Sequence, residues 1–157
     1  MAKYVFRILW VLSALALFYP SATQAKSAKP VIAVFNFETV SANDYLGPVT
    51  ARYLMTALAY LGKYKVIEEV KIKKVLEGAG IGKGDAIDTT MAVTLGKKLG
   101  AMVACRGKVT KKGNKYTITV DFISTANAAV IASNSANVTG EANISKGVDR
   151  IVGLTKD

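Results

Sequence analysis

The sequence predicts an α/β fold: a single domain with a mixed five-stranded sheet packed by about four helices, in the order β-α-β-α-α-β-β-β-α. Three observations predict it. Residues 31–37, Val-Ile-Ala-Val-Phe-Asn-Phe, form a β-branched and aromatic run of the kind that is buried on both faces inside an α/β sheet. Leu54, Ala57, Leu58 and Leu61 recur at i, i+3, i+4 and i+7, which is one face of a helix. Tyr116, Ile118, Val120 and Phe122 alternate with Thr117, Thr119 and Asp121, the period of a strand with one core face and one polar face.

The elements follow in order. Lys3 and Arg7 precede the uncharged, mostly apolar run Ile8 to Tyr19, and Pro20 and the small residues Ser21, Ala22, Thr23 and Ala25 come next. A basic leader, an apolar stretch and small residues at the A-x-A positions describe a secretory signal peptide at residues 1–25, cut after Ala25. The 12 residues of this run reach about 18 Å as a helix, short of the roughly 30 Å of a bilayer core. The alternative, an uncleaved anchor, requires the flanking residues to join the span. No cysteine lies near the cut, so the expectation is an exported protein, periplasmic or peripheral at the outer membrane, and not a lipoprotein.

Residues 26–30 read as a flexible lead-in, and the domain occupies residues 31–157. After the first strand, Ser41 to Gly47 is a turn region and Pro48 suits the first turn of a helix that Gly62 ends. Residues 64–68 form a short second strand. Ile72, Val75, Leu76 and Ala79 repeat the helical spacing, with Lys71, Lys73 and Lys74 on the solvated side. A glycine-rich loop spans residues 78–84. Asp88 caps a third helix whose buried face is Ala92, Leu95, Gly96 and Leu99, and Gly100 stops it. Residues 101–109 form a third strand, Lys111-Lys112-Gly113-Asn114-Lys115 a hairpin loop, and residues 130–138 a fifth strand. Ile144, Val148, Ile151 and Val152 mark a closing amphipathic helix. Crossover connections in the first half call for parallel pairing, and short loops in the second half call for an antiparallel meander.

Composition narrows the chemistry. The chain has 21 basic and 11 acidic residues, and residues 1–25 carry two of the basic ones, leaving +8 on the remainder. That sign favours anionic lipid, cell-wall polymer or an acidic protein face. Export argues against nucleic acid as the partner. The chain has no histidine, which removes Ser-His-Asp triads, Cys-His pairs and imidazole metal sites. The single cysteine, Cys105, lies in an apolar run and reads as a small buried hydrophobe. The glycine loop has three residues between Gly78 and the Gly82-Lys83 pair, where a Walker A loop needs four, and Gly84 stands where that loop needs a hydroxyl. It follows a helix rather than a strand, so it reads as a linker between helices.

No catalytic, cofactor-binding or metal-ligating set emerges, and no cofactor is expected. The densest charge cluster is Arg106, Lys108, Lys111, Lys112 and Lys115, a candidate contact for an anionic membrane or cell-wall surface. The same residues also suit a solvated turn tip or charges that guard a sheet edge.

Several stretches resemble a known family. Residues 31–37 are similar to its opening strand. Residues 64–68, followed by Ile72, Val75 and Leu76, are similar to its segment of strand, glutamate and helix. Residues 92–101, leading to Gly107-Lys108-Val109, resemble its most recognisable part. The family is the periplasmic core shared by the curli-secretion channel protein (CsgG-like), a related flagellar outer-membrane accessory protein and the lipoprotein activators of penicillin-binding proteins. The amino-terminal domain of TolB is more distantly similar. The resemblance spans nearly all of residues 31–157. It implies a non-enzymatic cell-envelope accessory or assembly module that docks to envelope proteins and can self-associate. Two departures stand out: no cysteine is placed for lipidation, and no inter-element stretch holds the long membrane hairpins of the curli channel. Other classes compatible with the residues are a small exported enzyme with a carboxylate-based site and a ring-forming structural subunit.

Overall fold

The first strand sets the layers. In the computed structural model, which describes residues 28–154, Ile32, Ala33, Val34 and Phe35 are all fully buried. Strand β1 (Val31–Val34) lies between β3 (Lys65–Val66) and β4 (Val103–Lys112) and runs parallel to both. Successive side chains point to opposite faces. Ile32 and Val34 enter one core, and Ala33 and Phe35 enter the other. The signal peptide expected at residues 1–25 lies outside the described residues, as does the start of the lead-in at residues 26–30.

The mixed α/β architecture is as the sequence predicts, with one more strand. Strand β2 (Glu38–Val40) pairs in parallel with the second half of β4, Glu38 opposite Lys108 and Val40 opposite Thr110. The sequence assigns these residues to no element. Three residues carry too little alternation to register, and the strand takes its ladder from a partner 70 positions away. The sheet order is β3-β1-β4-β5-β6, with β2 beside β4. β4, β5 (Lys115–Ser124) and β6 (Val130–Thr139) form the expected antiparallel meander.

The hairpin is tighter than predicted. Lys112 pairs with Lys115, so the loop is Gly113-Asn114 alone, and Lys111, Lys112 and Lys115 belong to the strands. Gly113 has φ of 60°, as the first turn position of a type II′ hairpin requires. Glycine supplies that conformation without a Cβ clash, and the tight turn lets the ladder run to its end.

Helices α1 (Leu46–Leu61) and α4 (Ile144–Leu154) pack on one face of the sheet. Leu54, Leu58, Ile144, Val148 and Ile151 meet Ile32, Val34, Val109, Ile118 and Val120 there. Helices α2 (Glu69–Gly78) and α3 (Thr89–Lys98) cover the other face, with Ile72, Leu76, Ala92 and Leu95 around Ala33, Phe35, Ala104 and Ile123. The predicted caps are in place. Gly62 closes α1 in the left-handed conformation at φ 66°, and its N–H donates to the Ala59 carbonyl. The Asp88 carboxylate accepts from the Met91 N–H at 2.7 Å and starts α3. The glycine loop links α2 to α3, and the Asp85 carboxylate, accepting from the Gly82 N–H at 2.6 Å, folds it back.

Phe37 joins the layers. Its fully buried ring lies on Gly107 of β4, where an added Cβ would meet ring carbons at 2.4 to 2.6 Å. Gly107→Ala is expected to destabilise the fold by about 1–3 kcal/mol through overpacking. Gly78→Ala, at a helix end with open space around the added carbon, is expected to raise stability by about 0.4–1 kcal/mol. Urea unfolding followed by circular dichroism reads both; equal effects would contradict the seating of Phe37.

Candidate functional site

The helices cover the sheet unevenly, and that exposes a polar face. α2 and α3 reach the first residues of β4, where Ala104 is buried among them. Among the described residues no helix covers the rest of that face of the meander. Along β4 it presents Arg106, Lys108, Thr110 and Lys112, and along β5 Asp121, Thr119, Thr117 and Lys115. Ser133, Ser135, Asn137 and Thr139 of β6 lie opposite those β5 residues. The alternation of β5 shows this polar side in the sequence. The pairing across strands is set by register.

Register divides the five basic residues. Arg106 lies opposite Asp121 and meets its carboxylate twice, with Nη2 and Nε each at 3.1 Å. Asp121 also accepts from the Ser133 hydroxyl at 2.6 Å. Lys108 reaches Glu38 at 3.2 Å. Lys111 projects to the opposite face, its ammonium 5.7 Å from the centre of the Tyr116 ring. Lys112 and Lys115 stand directly opposite each other, and among the described residues neither has a carboxylate within 4.0 Å. They border a cleft of about 540 Å³, completed by Thr110, Thr117, Asn137, Val138 and Thr139. The structure thus places the five side chains along one hairpin but groups only Lys112 and Lys115 at one cleft.

A second hollow was not legible in the sequence. A groove of about 480 Å³ runs between α1, α2 and the glycine loop. Val49, Ala51, Met55, Ile72, Leu76 and Ile81 contribute apolar walls, and Asn36, Lys73, Glu77 and Lys83 contribute polar groups. Arg52 and Glu69 bridge its rim, with guanidinium–carboxylate distances of 2.7 and 3.0 Å. The hydrogen bond from Arg52 holds the Glu69 carboxyl below the usual glutamate range, against a smaller opposing effect of burial. The helical spacing predicts Ile72 and Leu76 on the α2 wall but none of the α1 wall, and the space between two helices depends on how they cross.

Among the described residues no group of three His, Cys, Asp or Glu side chains stands close enough to hold a metal ion. Cys105 is fully buried, as the sequence predicts, and burial pushes its thiol well above the usual range, so the residue packs rather than reacts.

No family model matches the chain, and no curated protein matches it. Solved structures do. The C-terminal domain of LpoB from Salmonella enterica matches at 18% identity with a TM-score of 0.57, over 74% of this chain and 87% of that domain. The lipoprotein GNA1162 from Neisseria meningitidis matches at 16% identity with a TM-score of 0.61, over 82% of this chain and 97% of that one. A PelC dodecamer from Paraburkholderia phytofirmans matches at 16% identity with a TM-score of 0.54, over 80% and 86%. At these identities the likeness is one of fold. The expectation that the chain is not a lipoprotein gains no support from it, since a lipoprotein shares the fold.

The rim bridge gives a pH signature. Because the Glu69 pKa is lowered on folding, its contribution to stability is complete above the ordinary glutamate range and fades as pH falls through the lowered value. A carbon-detected NMR titration is expected to place the Glu69 midpoint below that of a free glutamate, and Arg52→Gln is expected to return it towards that value. An unchanged midpoint in the variant would break the assignment.

Proposed function

We propose that this chain is a non-enzymatic accessory module of the bacterial cell envelope that works by docking to another envelope protein. The observation that carries the reading is the fold likeness to the LpoB C-terminal domain, which extends over 87% of that domain. Together with the likeness to the GNA1162 lipoprotein, it supports the penicillin-binding-protein-activator side of the sequence resemblance. Residues 1–25 serve as the export signal in this reading, which puts the domain in the periplasm or against the outer membrane.

The curli-channel side has less support. That resemblance implies hairpins inserted between core elements, each spanning strand needing about nine to eleven residues. The longest connection between described elements, residues 79–88 between α2 and α3, has no room for two such strands. Among the described residues no helix is long and apolar enough to cross a membrane.

Self-association is the second reading, and the fold shared with a PelC dodecamer favours it. A side-by-side ring needs neighbouring copies to present complementary flanks and a rotation between them that closes.

Crosslinking in cells of the native organism, followed by affinity purification from the envelope fraction, separates the two. Docking predicts recovery of one defined envelope protein, lost on Met55→Glu or Val49→Glu in the α1–α2 groove. Recovery of the chain alone as a ladder of multiples would replace docking with self-assembly. A lone monomer would sink both.

A further inference from the structure

We propose that the tip of the β4–β5 hairpin is a phosphate-recognising contact by which the domain rests on an anionic phospholipid surface, with Lys112 and Lys115 as its centre. Like charges placed directly across a hairpin oppose pairing, and here they stand opposite each other with no carboxylate of the described residues within 4.0 Å; Glu141, which follows Gly140 beside the turn, is bonded instead to the Tyr45 hydroxyl. The two other cations of this polar face are treated differently, Arg106 being paired with Asp121 and Lys108 with Glu38. The uncompensated charge is therefore confined to the tip.

The cleft beside it is lined by the two lysines, three threonines, Asn137 and Val138. The Thr117 hydroxyl donates to Oδ1 of Asn137 at 2.7 Å, which leaves the Asn137 amide nitrogen as a donor with no protein acceptor among the described residues. Two ammonium groups and an amide nitrogen facing one cleft suit an oxyanion with several acceptor oxygens. A membrane is favoured over a small ion because cations stand on both faces of the tip. Lys111 projects to the side opposite the cleft. An ion in the cleft meets Lys112 and Lys115, whereas a surface laid across the turn meets all three lysines. The sequence has no acidic residue between Asp88 and Asp121, so no carboxylate from β4, the turn or the first half of β5 opposes that approach. The apolar neighbours Val109 and Tyr116 are buried, so the contact is electrostatic and reversible rather than inserted. It is independent of the protein partner proposed above.

The test is sedimentation with vesicles at low salt, using the protein purified as the cell processes it. Vesicles of phosphatidylglycerol mixed with phosphatidylcholine are expected to bind the protein, and pure phosphatidylcholine is not. Lys112→Gln with Lys115→Gln is expected to weaken binding about thirtyfold, from roughly 1 kcal/mol for each lysine at an anionic surface. Lys97→Gln with Lys98→Gln removes the same charge from α3 and is expected to cost less than about threefold, being outside the contact. Equal losses in the two double variants would overturn the site in favour of bulk charge, and equal binding to both vesicle types would overturn its electrostatic basis. Inorganic phosphate is the second arm. A rise in melting temperature with phosphate that the Lys112/Lys115 variant loses, without vesicle binding, would assign the cleft to a free ion and overturn the membrane contact.

Discussion

The structure depends on one strand having two environments. The first residues of β4 are sandwiched: Ala104 faces α3 and Cys105 faces the core under α1, both fully buried. Beyond Gly107 the same strand is covered on one side only, with Val109 inward and Lys108 outward. A strand buried on both faces needs small or apolar residues at consecutive positions, and a half-covered strand needs alternation. The β4 sequence changes from one pattern to the other at Arg106, and the helices end their coverage there: Arg106 Nη1 reaches the Ile87 carbonyl, just before α3, at 3.4 Å. Both candidate sites lie away from that sandwich, one on the half of β4 that the described helices leave uncovered and one in the hollow between α1 and α2.

The change of environment has a mechanical counterpart on the neighbouring strand. β1 and β2 share β4 as a partner but are separated by Phe35-Asn36-Phe37, and the two phenylalanines go to opposite cores. Phe37 can enter only because Gly107 leaves space beneath the ring and Gly47 leaves space beside the Phe37 carbonyl. The Phe37 N–H in turn donates to the Gly47 carbonyl at 3.4 Å, tying the start of α1 to the sheet. The groove between α1 and α2 is thereby placed next to the strand interruption, with Asn36 on its wall. Gly96 does the same for α3, where an added Cβ would stand 2.9 Å from Thr125 and 3.3 Å from Ala104. Thr125 is held by its own hydroxyl, which donates to the Ala101 carbonyl at 2.7 Å. Close approach of helix to sheet at these glycines lets a domain this size fill two cores.

Much of this was legible in the chain because the signals are local. Apolar periodicity marks every helix, and alternation marks the faces of β5. Gly62 and Asp88 announce the helix ends that they form. What escaped was set by partners distant in sequence. β2 is too short to be seen without β4. The neutralisation of Lys108 depends on Glu38, and that of Arg106 on a register fixed by the turn. A hairpin one residue longer on one side would have put Arg106 opposite a different residue and turned the side chains of β5 over. The five basic residues therefore read as one cluster in the sequence, whereas the structure divides them into a compensated pair and an uncompensated tip.

That division bears on how such a fold carries function. At 16 to 18% identity to LpoB and GNA1162, the shared property is the fold, which many sequences satisfy. The distinguishing chemistry must then lie on surfaces that packing does not dictate. Packing explains Phe37 and Gly107, and ion pairing explains Arg106 and Lys108. Neither explains Lys112 and Lys115, since two opposed lysines at a tight turn gain nothing from burial and lose by proximity. Their unfavourable opposition at the turn is the physical reason for proposing an anionic contact at that end of the sheet.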